Sequence, residues 1–275
     1  MNPICPKVAA INDLSGFGRC SLTVAIPILS VMGVQCCPLP TAILSNHTGY
    51  ESYFFDDFTD RMAPYAREWK KLGLSFDMIF TGFLGSDAQI GLVRRFIESF
   101  REGSLVLVDP VMADNGHIYS TYSKQMCDSM KQLITLADII TPNVTESCIL
   151  TDTPYTGEDI DMDLAKELAK KLSAKGPGKV IITGIMKSRH IISNLAYDRA
   201  LGEFSSYDTE HIHTSYPGTG DVFATIVCGE LAKGGELPAA LKKACDFIAE
   251  VIAFTYQNNT PIMDGILFEP FLKKL

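Results

Sequence analysis

The chain has 275 residues, and 24 lysines and arginines against 32 aspartates and glutamates leave a formal charge of −8. Hydrophobic residues make up 47% and charged residues 20%, which supports a sizeable core and excludes a disordered chain, while 21 glycines and 14 prolines exclude collagen-like and low-complexity readings. A pI near 5.1 argues against a broad nucleic-acid face, which needs clustered lysine and arginine, and points to small molecules held in a local pocket.

Residues 7–12 read as a first strand, followed by a glycine turn at Ser15-Gly16-Phe17-Gly18 and a helix to about Met32. A strand is expected over 34–38. No charge occurs over 22–44, as in a membrane span, but Pro27, Gly33, Gln35, Pro38 and Pro40 interrupt the stretch. An interior proline costs a helix about 3 kcal/mol, so a buried helix and then a buried strand are preferred there. Residues 60–71 are amphipathic and helical, 77–82 a strand, 87–102 a helix, and 105–108 an apolar strand ending in Asp109-Pro110. The alternation continues with a helix over 123–136, a strand over 138–141, a helix over 163–174 and a strand over 179–183 that Gly184 ends. Residues 189–197 and 202–213 are strand-rich and suit an antiparallel pair. Two helices close the chain, 221–233 stopped by Gly234-Gly235, and one from Pro238 to about Gln257.

Repeated strand–helix units with fully apolar strands imply a mostly parallel sheet covered on both faces. With no linker and no internal repeat, residues 1–275 read as one three-layer α/β domain. In such sheets ligands bind at the carboxyl ends of the strands. The eight cysteines, at 5, 20, 36, 37, 127, 148, 228 and 245, form no C-x-x-C pair and read as reduced, buried, small hydrophobes rather than a disulfide framework. The start, Met1-Asn2-Pro3-Ile4-Cys5-Pro6-Lys7, has no signal-peptide pattern, so a cytoplasmic protein is expected and the sequons at Asn46, Asn143 and Asn258 carry no glycan meaning.

The strongest chemical signal is Pro217-Gly218-Thr219-Gly220-Asp221 before an apolar helix. Two glycines let successive amides converge, and the helix adds the positive end of its dipole, making an anion site. An aspartate there can take a proton from a hydroxyl attacking phosphorus, although aspartate is also a favoured N-cap. A second constellation has Asp109 and Asp114 after one strand, and Thr141, Asn143 and Glu146 after the next. Carboxylates, a hydroxyl and an amide at strand ends suit Mg²⁺ with retained waters and a nucleotide tail, while Asn143 or Thr145 equally suits helix capping. No P-loop and no G-x-S-x-G elbow occur, and the dinucleotide fingerprint that Gly16 begins is incomplete, since Ser21 stands where its third glycine belongs. His211-Ile212-His213 offers two imidazoles without an evident third ligand, and Asp56-Asp57 and the acidic run over 158–161 read as solvated faces.

In this order these residues resemble the ribokinase superfamily, and within it most closely the pyridoxal (vitamin B6) kinases. The match rests on Ser45-Asn46-His47-Thr48-Gly49-Tyr50, Thr81-Gly82-Phe83, Asp109-Pro110-Val111-Met112, Ala137-Asp138-Ile139-Ile140-Thr141-Pro142-Asn143 and Gly218-Thr219-Gly220-Asp221. The resemblance implies a ribokinase-like three-layer α/β/α sandwich that phosphorylates the 5′-hydroxymethyl group of pyridoxal, pyridoxamine or pyridoxine. Asp221 would be the base, with the amides of Gly218, Thr219 and Gly220 holding the transferring phosphoryl group. Asp109, Asp114, Thr141, Asn143 and Glu146 would organise ATP and Mg²⁺, with Asp109 and Glu146 acting on the metal through water. Thr183 and Gly184 would lie near the phosphates, and Thr48 against the pyridine ring. A homodimer is implied, and a monovalent cation is compatible. Asp13 and Phe83 depart from the serine and tyrosine usual in that family. Asp13 adds a negative charge that would favour an aminomethyl group, or else it faces a helix N-terminus or water. These departures leave open the related hydroxymethylpyrimidine kinases. A non-catalytic vitamer-binding protein and a nicotinamide-dependent oxidoreductase are disfavoured.

Overall fold

In the computed structural model, residues 5–157 and 160–275 are described. Glu158 and Asp159 of the acidic run, and the first four residues of the N-terminal segment, lie outside them.

Strand β1 (Lys7–Phe17) sets the frame. Val8 and Ala10 enter one apolar core and Ala9 and Ile11 the other, so a continuous apolar run is what a strand covered on both faces requires. The same division recurs at β4 (Met78–Thr81), β5 (Leu105–Val108), β8 (Ile139–Ile140) and β9 (Lys179–Ser188). Helices α1 (Ser21–Val31), α7 (Thr219–Ala232) and α8 (Leu237–Gln257) cover one face. The other carries α2 (Thr59–Lys71), α3 (Asp87–Phe100), α4 (Lys124–Leu133), α5 (Val144–Thr151) and α6 (Met162–Ala174). This is the three-layer, ribokinase-like sandwich expected.

The remaining strands are β2 (Gln35–Asn46), β3 (Phe55–Asp57), β10 (Ile191–Asp198) and β11 (Glu203–Glu210), with a separate ribbon of β6 (Ala113–Asp114) and β7 (His117–Ile118). The nine-stranded sheet runs β11-β10-β9-β8-β5-β4-β1-β2-β3. Its centre is parallel, while β3, β10 and β11 run antiparallel to their neighbours.

Three boundaries differ from expectation for identifiable reasons. The glycine turn at 15–18 is largely strand, because β1 stays paired with β2 as far as Phe17 and Asn46, with a register shift between Asn12 and Leu14. Pro38 and Pro40 do not end β2. Its pairing with β3 begins only at Ala42, so over the prolines it is an edge strand that needs no second set of donors. Gly184 does not end β9. It adopts φ 79° and a register shift opposite β10 accommodates it within the strand, so it marks a bulge. β3 and the β6–β7 ribbon were not anticipated as elements, and α5 was foreshadowed only by the capping reading of Asn143 or Thr145. Among the described residues no helix is long and apolar enough to cross a membrane.

Candidate active site

A cleft of about 800 Å³ opens where β1, β4, β5 and β8 end, and the first turn of α7 forms part of its wall. Gly218 is the N-cap of α7, at φ 79°, and no side chain caps this helix end. A Cβ on Gly218 would come within 1.8 Å of the Arg19 carbonyl oxygen, so only glycine lets this turn pack against the β1–α1 connection. The first-turn amides have no partner within the helix and carry the positive end of its dipole. That of Thr219 only leans toward the Tyr216 carbonyl at 3.5 Å. Asp221 is therefore not the cap. Its carboxylate lines the cleft and accepts from Asn12 Nδ2 at 3.1 Å.

Asn12 was not singled out from the sequence, yet it organises this end of the site. Its Oδ1 accepts from the amides of Asp13 (3.0 Å) and Phe83 (2.8 Å), and its Nδ2 donates to Asp221. Gly82 is what admits it, since a Cβ there would lie 2.3 Å from Asn12 Nδ2. Burial pushes the Asp221 carboxyl up to about 6, and the nearby charge of Asp13 acts in the same direction. The Ser21 backbone amide and Asn12 oppose the rise. Ser21 holds φ 54°, a strained conformation for a residue with a side chain, at the start of α1.

Asp13 is buried, lines the cleft, and accepts from the hydroxyls of Ser15 (2.8 Å) and Ser21. Burial raises its carboxyl against those two hydrogen bonds. Asp13 thus lines the cavity while bonded to the hydroxyl of Ser21, the first residue of α1. Thr48, Phe83, Asp114, Asn143, Thr183 and Gly184 also line the cleft.

Asp109, Thr141 and Glu146 are buried, and among the described residues the cleft wall does not include them. Thr141 Oγ donates to Asp109 Oδ1 at 2.8 Å. Burial, with the charges of Glu146 and Asp221, holds the Asp109 carboxyl well above the usual range. Glu146 accepts from the amides of Met112 (3.0 Å) and Asn143 (2.9 Å), and burial raises it too. Asn143 and Glu146 form a reciprocal capping box on α5, and Asn143 Nδ2 also holds the Ala113 carbonyl at 2.7 Å. Asp114, on β6, is raised by burial.

The cleft has two ends. Near Asp13 the wall is made by Leu44, His47, Thr48, Phe83 and Met263, and near α8 by Asn194, Cys245, Ile248 and Ile252. Four carboxylates (Asp13, Asp114, Glu210, Asp221) line it, and among the described lining residues there is no lysine or arginine. With no fixed cation among the described lining residues, a polyphosphate entering here would need its charge offset by a cation from solution, which one or two of these carboxylates could hold through its waters. His211 and His213 lie just beyond β11 with ring centroids 4.9 Å apart, and His190 is 5.7 Å from His213. Among the described residues no group of three or more histidine, cysteine, aspartate or glutamate side chains is arranged to hold a metal.

A carboxylate beside an uncapped, glycine-led helix N-terminus, over a cleft at the carboxyl edge of a parallel sheet, suits phosphoryl transfer to an alcohol, as the resemblance to the ribokinase superfamily implies. The phosphomethylpyrimidine kinase family model matches residues 30–265. A Bacteroides thetaiotaomicron protein, provisionally described as a phosphomethylpyrimidine kinase and crystallised with pyridoxal, is 46% identical, with a TM-score of 0.94 over 98% of this chain and 95% of that one. A Bacillus subtilis pyridoxine kinase is 33% identical over 68% of each chain. A Haemophilus influenzae hydroxymethylpyrimidine/phosphomethylpyrimidine kinase is 34% identical over 62% of this chain and 63% of its own. The chain belongs to the phosphomethylpyrimidine kinase family, and it is an ATP-dependent kinase.

Proposed function

We propose that this kinase transfers the γ-phosphoryl group of ATP to the 5′-hydroxymethyl group of a B6 vitamer. The observation that carries the reading is the Asp221 carboxylate, facing the cleft beside the open amides of Gly218, Thr219 and Gly220 and held by Asn12. The substrate alcohol lies toward Asp13 and Thr48, with the ring against Phe83. The nucleotide lies toward Thr183, Gly184 and α8, with its phosphates meeting the α7 dipole. Asp221 orients the hydroxyl and accepts its proton at a carboxylate oxygen. Because transfer passes through a loose transition state, placing the oxygen in line contributes more than removing the proton. Asp114 in the cleft wall, with Asp109 and Glu146 buried outside that wall and acting only through intervening water, would hold Mg²⁺, which would supply neutralisation of phosphate charge.

The pyridoxal-containing relative at 46% identity supports a pyridine alcohol as substrate. The Haemophilus relative and the family model support a second reading, in which the alcohol is hydroxymethylpyrimidine. Asp13 favours the aminomethyl group of pyridoxamine by charge, and an Asp13→Ser variant that ranks the vitamers as the parent does would remove that preference. Exposed Tyr53, Phe54 and Phe55 follow the Thr48 loop in sequence, and exposed Phe17 lies 5.9 Å from the Tyr50 ring of that loop, which supports a homodimer. All eight cysteines are free, in keeping with a cytoplasmic setting. The deciding experiment incubates the protein with MgATP and pyridoxal, pyridoxine, pyridoxamine or hydroxymethylpyrimidine and follows ADP release. Vitamer-dependent release is expected, and release with hydroxymethylpyrimidine alone would replace this reading by the second.

A further inference from the structure

The wall of the cleft near Asp13 is made by two pieces of chain far apart in sequence. His47 Nε2 lies 2.7 Å from the Met263 carbonyl oxygen, 216 residues away. His47 Nδ1 accepts from the Gly49 amide at 3.1 Å, which places the ring proton on Nε2. The Tyr50 hydroxyl donates to Asp264 Oδ1 at 2.8 Å, and its ring lies 4.7 Å from that of His47. Arg19 ties down the same segment, with Nη1 on the Asp264 carbonyl oxygen at 3.1 Å and Nε on Glu269 at 2.6 Å. Met263 faces the cleft beside Thr48 and Gly49, so close that a Cβ on Gly49 would lie 2.6 Å from Met263 Cε.

We infer that Met263 is a specificity-determining residue that lies against the ring of the substrate, and that the Tyr50–Asp264 hydrogen bond is the positioning device that keeps Met263 and the Thr48 loop in one wall. The identity of the ring rests on the proposed function. The shared wall does not. A thioether is polarizable and packs well against an aromatic edge, which suits a heteroaromatic alcohol better than a sugar.

Steady-state kinetics with both substrates varied test this in the full-length enzyme. Met263→Ala should raise KM for the alcohol about tenfold and leave KM for ATP within about twofold, and Met263→Leu should restore most of the loss. Tyr50→Phe and Asp264→Asn should each raise the same KM, and their double variant should be no worse than the poorer single. An unchanged KM for the alcohol in Met263→Ala, or an equal rise for ATP, would overturn the specificity role, and additive losses would overturn the latch. Hydrogen exchange needs no substrate. Tyr50→Phe should speed exchange of the amides over 45–52 while leaving α7 protected, and unchanged exchange there would also overturn the latch. If no alcohol is phosphorylated, the proposed function falls and the exchange result still decides the latch.

Discussion

Asp221 is costly to keep charged where it stands, and that cost makes it testable. With its carboxyl raised to about 6, kcat/KM should climb as pH passes upward through that value, since the base must be ionised. The stability consequence has the opposite sign. Between about pH 4 and 6 the native state binds the proton that the unfolded chain has released, so stability falls as pH rises through this window. A shift of roughly two units at about 1.4 kcal/mol each makes the loss on the order of 3 kcal/mol. Asp221→Asn should therefore lower kcat by about 10²-fold or more and yet melt a few degrees higher at pH 8. A variant that kept near-parental turnover would remove Asp221 as the base. Gly218→Ala should lose activity and stability together, because its Cβ would collide with a backbone carbonyl and its φ is left-handed. Asp221 and its glycines were legible in the sequence as one short motif. Asn12 was not, because its partner lies 209 residues away and its approach depends on a missing side chain at Gly82.

At the scale of elements, helix and strand types followed from periodicity, while their ends depended on tertiary partners. β2 runs through two prolines because one side of it is an edge, and β9 runs through Gly184 because a bulge absorbs it. Very short elements such as β6–β7 carry no periodic signal. They exist through bonds such as that from Asn143 Nδ2 to the Ala113 carbonyl. Asn143 therefore joins two elements, capping α5 and anchoring β6. Asn143→Ala should cost about 1–2 kcal/mol in urea unfolding, with a larger fall in activity than the stability loss explains if the ribbon positions Asp114. An unchanged unfolding midpoint would show that the cap contributes little.

For the molecule as a whole, the charge of −8 is carried into the cleft, whose described lining has four carboxylates and no fixed lysine or arginine. Activity should vanish in EDTA and return with Mg²⁺, and retained turnover without divalent cation would contradict the metal role proposed for Asp114, Asp109 and Glu146. The hydrogen bond from Asn12 to Asp221 also has a consequence for biosynthesis. A polypeptide still emerging from the ribosome can build much of its sheet and one helical layer long before residue 221 appears. Its reactive centre, closed by a pairing across 209 residues, can then form only after α7 has emerged. A translation product stopped short of α7 would be inert, however much secondary structure it had gained.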